Sequence, residues 1–348
     1  MKQRKPFMER RRKLFIWIAA LAAASPLVVL ATCTVGSAAI PFDKVWEETV
    51  RHVKGLDPLA QSDSLILFGI RLPRAILSYL VGAGLGLCGA CMQGVFQNPM
   101  ADPHLLGVSS GAAFGATIGM LLGISASVAG LGLTTVLAFA GGIFAVLAVH
   151  MLSIGHGRVS PGRLLLAGIA MTSLLSAAIS GMMIFRRDKM DKIVQWTMGS
   201  FTSASWEKVT AGVLMILPLC LLLSFAGRTL NALSLGDESA QSLGIPVEGT
   251  RRIILALSTL CTAAAVSLSG IIGFVGLVVP HIARMLWGGD YRTLLPVSFF
   301  AGGLFLTLMD TLARTLAAPL ELPVGVITAL IGGIFFLAIM RKTRHNTF

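Results

Sequence analysis

The chain reads as an all-α integral membrane protein, and three features of its 348 residues point there. Hydrophobic residues make up 55% against 13% charged, with a mean hydropathy of +0.81, so polar side chains are too few to clothe a soluble globule of this size. Apolar runs of the roughly 20 residues needed to cross a bilayer follow one another with short polar breaks, which is a helical pattern rather than one of strands of about 10. Much of the formal charge of +12 sits in Lys2, Arg4, Lys5, Arg10, Arg11, Arg12 and Lys13 and in Arg341, Lys342 and Arg344. Basic flanks on the first and last runs predict a multi-pass protein of the cell inner (plasma) membrane with both termini cytoplasmic.

The first run, 14–36, follows a basic leader but exceeds the roughly 7–15 apolar residues of a signal peptide, so it is expected to stay as a span. The others fall near 72–97, 104–122, 127–154, 163–185, 207–227, 251–271, 273–287, 293–313 and 324–341, which makes about ten transmembrane helices. An even number agrees with two ends on one side. Two five-span halves would lie in opposite orientations, although no internal sequence match shows them.

Between the first two spans, 37–71 is the longest polar piece. Phe42, Val45, Trp46, Val50 and Val53 recur there at helical spacing and predict an amphipathic helix on the outer surface. The short segment 193–206, which contains Gly199, is expected to be a re-entrant or interfacial helix on the same side. Gly111, Gly115, Gly119 and Gly123 form one helical stripe for close helix packing. Gly270, Gly273 and Gly276 lead to Pro280 and predict either an interrupted span or a proline kink.

Candidate chemistry is sparse. Asp310 falls inside an apolar run and needs a partner; Arg314, one turn on, is the expected ion-pair mate, and the alternative use of Asp310 is as the coupling group of an ion-gradient-driven carrier. Gln93 and Gln97 are expected to hydrogen-bond between helices. Cys88 and Cys91 form a C-x-x-C one turn apart with no second ligand pair in sequence, so packing is expected rather than metal. "GRVSPGRL" spaces Gly157 and Gly162 like a phosphate loop but has Arg163 and Leu164 where Lys and Ser or Thr belong. His104, His150, His156 and His281 are isolated. No enzyme is expected in this chain, no cofactor and no metal, and any energy source must come from another chain or from an ion gradient. Without aromatics interleaved on a basic surface, nucleic acid is not expected as a partner.

"RLPRAILSYLVGAGLGLCGACMQGVFQNPMADPHLLGVSSGA", "LGDESAQSLGI" and "GIIGFVGLVVPHIARMLWGGDYRTLLP", with "DTLART" and "ELPVGVITALIGG" behind them, together resemble the permease subunit of the ABC importers for ferric siderophores, haem and cobalamin. The likeness runs in order through nearly the whole chain. It implies one permease domain over 1–348, in which 72–227 carries spans two to six, 228–250 is a cytoplasmic coupling segment of two short helices and 251–341 carries spans seven to ten. It also implies a dimer, of identical chains by preference, with two ATPase subunits holding ATP and Mg, and a soluble substrate-binding protein. Asn98 and Met100, with Ser160 and Pro161, match the family's cytoplasmic gate. Gly236, Asp237, Glu238, Ala240, Leu243 and Gly244 match its ATPase contact. Arg71, Arg74 and Arg314 match arginines that receive the binding protein's glutamates, which gives Arg314 a second role beside the pair with Asp310. Ferric siderophore is the first choice of cargo, ahead of haem and cobalamin.

Overall fold

The computed structural model describes residues 4–344 apart from 37–39, 125, 129, 156, 157 and 160. Its helices are α1 (Arg4–Thr32), α2 (Phe42–Val53), α3 (Gln61–Ile66), α4 (Leu72–Val95), α5 (Val108–Leu122), α6 (Leu133–Ser153), α7 (Pro161–Phe185) and α8 (Met190–Thr197). They continue as α9 (Trp206–Ser224), α10 (Gly227–Leu233), α11 (Asp237–Ser242), α12 (Val247–Ser269), α13 (Val275–Trp287), α14 (Tyr291–Thr315) and α15 (Val324–Arg344). The described strands are two residues each, Ser127–Val128 paired with Leu131–Gly132 and Ile154–Gly155 paired with Arg158–Val159. Among the described residues six helices are long and apolar enough to cross a membrane, and four shorter apolar helices (Ile16–Thr32, Val108–Leu122, Val275–Trp287 and Val324–Ile339) fall at the other expected spans.

The core forms around α4. Its residues from Leu77 to Val95 are buried almost without interruption, because α9, α12, α13 and α14 all pack on it. Glycine makes this possible where backbones touch: a methyl on Gly89 would fall inside the Gly276 carbonyl of α13, and one on Gly82 or Gly86 inside carbonyls of α14. Of the predicted glycine stripe, Gly111, Gly115 and Gly119 do face α6 in this way. Gly123 instead ends α5 with φ +63 and meets nothing, so it is a helix terminator rather than a packing residue.

Some boundaries differ from expectation. The stretch 61–71 is helical and runs through a wide turn at Leu67–Arg71 straight into α4, so the outer loop is shorter than 37–71. The amphipathic α2 forms as expected, with Val45 buried and Phe42, Trp46 and Val53 exposed. The segment 193–206 is helical only to Thr197: Gly199 turns left-handed at φ +68, and the chain leaves the helix to pair Ser200 N–H with the Ser269 carbonyl. Of the two readings for 270–280, the structure takes the interruption. Residues 270–274 leave helical geometry through Gly270 (φ +75) and Phe274 (φ +68), while Pro280 lies inside α13. A phenylalanine with positive φ is a strained position held by its surroundings.

Candidate transport site: a helix-end loop, the segment 228–250 and an arginine cluster

Two groups of predicted residues sit at opposite ends of α4, whose 24 residues span about 36 Å at 1.5 Å per residue. At its C-terminal end the chain leaves the helix through Gln97, which adopts φ +49. Asn98 then folds the loop on itself: its side-chain carbonyl accepts from Met100 N–H at 2.9 Å and its backbone carbonyl from Ala101 N–H at 3.1 Å. Pro99 and Pro103 deny the helix its donors. Asn98 and Met100 are both exposed at the loop tip, Met100 at 40%. Ser160 lies outside the described residues, and Pro161 opens α7, where a missing N–H costs nothing.

The return leg of this loop is pinned to the interrupted span. Asp102 caps the short turn 103–106 by accepting from His104 N–H at 2.8 Å. The His104 ring lies between the Ile272 carbonyl, 3.0 Å from Nε2, and the Ser109 hydroxyl at Nδ1. One tautomer satisfies both contacts, with Nε2–H donating to Ile272 and Nδ1 accepting from Ser109. The isolated histidine of the sequence is thus a tie between loop and break. Phe274, at the end of that break, packs where Gly332 of α15 leaves room for it.

The expected coupling segment 228–250 holds most of α10, all of α11 and the start of α12. Gly236 (φ +99) and Gly244 (φ +80) make its turns, and Asp237 and Glu238 occupy the first turn of α11, where the helix dipole favours them. Asp237 is held by a fork from Arg251 of α12, at 2.8 and 2.6 Å. Leu243 is 64% exposed, whereas Ala240 is fully buried in the chain's own core. Ala240, expected among the contact residues, is thus packed inside the chain. Gln97, expected to hydrogen-bond between helices, reaches across to α10, its amide donating to the Leu233 carbonyl at the end of that helix; the sequence did not identify this partner. Nearby, Gln93 donates to the carbonyls of Gly276 and Leu277 at 3.3 and 3.4 Å and meets Arg284, confirming its helix-to-helix role. The loop is therefore hydrogen-bonded to α4 at Gln93, to the end of α10 through Gln97 and to the interrupted span through His104, and α4 is bonded to that span through Gln93.

At the other end, Arg71, Arg74 and Arg314 come together, all less than 10% exposed. The expected Asp310–Arg314 pair is replaced by another. Arg74 of α4 takes Asp310 in a two-point bridge, Nε at 2.8 Å and Nη2 at 3.0 Å, and donates Nη1 to Glu321 at 2.8 Å. The reason is geometric: α4 and α14 pack backbone to backbone, so a guanidinium facing Asp310 across the interface meets it squarely, whereas Arg314 turns toward α1 and donates to the Thr32 carbonyl at 2.5 Å. Arg71 reaches the adjacent Cys33 carbonyl at 2.6 Å. Two cations thereby cap the last carbonyls of α1, where charge of that sign is favoured. Glu321 went unnoticed in sequence because a lone acid after a span carries no spacing signal toward an arginine 247 residues earlier.

Cys88 contacts Cys261, whose sulfur is 3.8 Å from that of Cys220, so thiols from α9 and α12 do meet the C-x-x-C. Among the described residues no group of three or more His, Cys, Asp or Glu is arranged to hold a metal ion. On the polar rim, Asp290 caps α14 and binds Arg292 and Asn231, and the Arg292 contact foremost holds its carboxyl down at about 2.

The FecCD transport family matches this chain over residues 23–342. The cobalamin import system permease of Halobacterium salinarum is 43% identical over 81% of this chain and 74% of its own, and the hemin transport system permease of Yersinia pestis 39% identical over 92% and 93%. A solved metal-chelate type ABC transporter in an inward-facing conformation superposes with a TM-score of 0.81 at 30% identity, covering 93% of this chain and 98% of that one. The chain therefore belongs to the FecCD transport family, the permease subunits of ABC importers for ferric siderophores, haem and cobalamin.

Proposed function

We propose that this chain is one of two identical permeases in an ATP-driven importer that passes a ferric siderophore from a soluble binding protein outside the membrane to the cytoplasm. Haem and cobalamin, the cargoes of the two relatives above, are the next choices. Two ATPase subunits with ATP and Mg would seat against 228–250, chiefly through Leu243 and the Gly236–Gly244 turns, on the side where both termini lie. The loop tip at Asn98 and Met100, with Ser160 and Pro161, would close the pathway. The observation that carries this reading is the hydrogen bond from Gln97 to Leu233, which joins the closing loop to the segment an ATPase would push.

At the outer end, Arg71, Arg74 and Arg314 would receive carboxylates of the binding protein. Since each guanidinium is already engaged, such a carboxylate must compete with Asp310, Glu321 and the α1 carbonyls. The ion-gradient alternative asks Asp310 to exchange a proton or ion. Its two-point bridge to Arg74 weighs against that, because a coupling carboxylate has to release its partner in each cycle.

The test is uptake into vesicles holding this chain with its ATPase, given the binding protein loaded in turn with ferric siderophore, haem or cobalamin, with and without ATP. ATP-dependent accumulation of ferric siderophore is the expected result. Accumulation driven by an ion gradient without ATPase overturns the assignment.

A further inference from the structure

A groove on the flank of the bundle plays no part in the sites above. It runs between α9 and α14, has a volume of about 650 Å³, and is lined by Val213, Leu217 and Leu221 from one helix and Pro296, Phe299 and Phe300 from the other. It is open, and its lining is almost wholly apolar: Leu214 and Leu221 on its edge are 69% and 61% exposed. A proline in each wall, Pro218 and Pro296, keeps the two helices from closing on each other.

Its length and its end suggest what fills it. The α9 wall extends from Val213 to Ser224, about 17 Å at 1.5 Å per residue, close to the ~15 Å that is half of a ~30 Å hydrocarbon core. That half is the one adjoining α10, since Ser224 leads directly into it. At this end Arg292 stands one turn before Pro296 on the same face of α14, and the first turn of α10 lies against it: a methyl on Gly227 would be 3.0 Å from the Arg292 Cα. Arg228 follows Gly227, is exposed, and among the described residues has no hydrogen bond or ion pair. Arg292 is bridged to Asp290 at 2.9 Å, which makes that pair neutral and leaves Arg228 as the uncompensated charge. An apolar channel one leaflet long whose end adjoins the helix carrying this exposed arginine is complementary to a lipid with a negative headgroup.

We infer that the α9–α14 groove is a binding site for an anionic phospholipid, its acyl chain lying along Val213–Ser224 and its phosphate on Arg228. The site does not depend on the cargo, and its headgroup residue Arg228 opens the segment 228–250 proposed to seat the ATPase, so it is tested on the chain without the ATPase. The test is native mass spectrometry of the full-length chain in detergent, offered phosphatidylglycerol and phosphatidylcholine with identical acyl chains. One phosphatidylglycerol is retained per chain in preference to phosphatidylcholine. Arg228→Ala weakens that retention about five- to tenfold with no change for phosphatidylcholine, and Leu217→Trp, which fills the groove, removes both. Equal retention of the two lipids, or phosphatidylglycerol retention unchanged by Leu217→Trp, overturns the proposal. So does cross-linking of two copies through Leu221→Cys, which would make the groove an interface. Should Leu217→Trp fail to fold, Arg228→Glu at an exposed position decides the headgroup contact alone, and wild-type retention in that variant overturns it.

Discussion

Replacing Asp310 by asparagine should cost this protein much of its stability without touching its transport chemistry. The carboxylate is 3% exposed and receives two hydrogen bonds from Arg74, itself 8% exposed. Asparagine keeps the shape and one acceptor but leaves the guanidinium with Glu321 alone, and that carboxylate is 41% exposed and screened by solvent. Breaking a buried pair by removing one partner costs about 3–5 kcal/mol. Because one acceptor survives, the lower end applies, and about 3 kcal/mol is roughly a hundredfold in the folded-to-unfolded ratio. The assay is denaturant unfolding of the purified chain in detergent for Asp310→Asn, Asp310→Leu, Arg74→Met and the apolar double variant Arg74→Met with Asp310→Leu. Each single change should lose about 3 kcal/mol and the double far less than the sum of its two component changes, because a matched apolar pair leaves no charge stranded. Strict additivity, or an Asp310→Asn protein as stable as the parent, would refute the assignment of this bridge as the clasp between α4 and α14. ATP-driven uptake per folded molecule should survive Asp310→Asn; its loss with stability intact would return the residue to the transport mechanism.

Gln97→Ala removes the link from the loop to α10 and should lower uptake several-fold while ATP hydrolysis by the complex persists, a split read by measuring both in the same vesicles. Gly89→Ala places a methyl inside the Gly276 carbonyl and should cost about 1–3 kcal/mol, measured by denaturant unfolding, whereas Ala at Gly181, where nothing lies within 4 Å, should be tolerated. Asp290 has a folded pKa depressed from 3.8 to about 2, so it binds its proton more weakly folded than unfolded; its contribution is full above pH about 4 and disappears as pH falls toward about 2. Asp290→Asn should flatten that part of the acid-unfolding curve, and an unchanged curve would show that the Arg292 contact does not persist in solution.

The spans were legible because lipid restricts the backbone to helices and each run had to be apolar over its whole length. Close packing by Gly111, Gly115 and Gly119 was legible for a similar reason: spacing alone puts them on one face. What spacing could not reveal was any partner from far along the chain. Asp310 had an arginine one turn away and a better-placed one 236 residues earlier, and only the backbone contact of α4 with α14 decides between them. The same holds for Ala240, whose small size suits either a contact face or a buried anchor, and for the early end of the 193–206 helix, where Gly199 turns to meet Ser269. The interruption before Pro280 was half visible. Its glycines marked the place, but the strained Phe274 that completes it depends on the hollow left by Gly332.

The Arg74–Asp310 clasp also sets a timetable for biosynthesis. Arg74 emerges from the ribosome 236 residues before its carboxylate, and at 5–20 residues per second that interval is on the order of ten to fifty seconds. Throughout it, a guanidinium destined for the protein interior must be hydrated at the membrane interface or sheltered by the insertion machinery, and α4 cannot settle until α14 has been made. The most buried helix of the bundle is among the first to be synthesised and among the last to reach its final environment, so truncation anywhere before residue 310 should leave α4 exposed to membrane quality control.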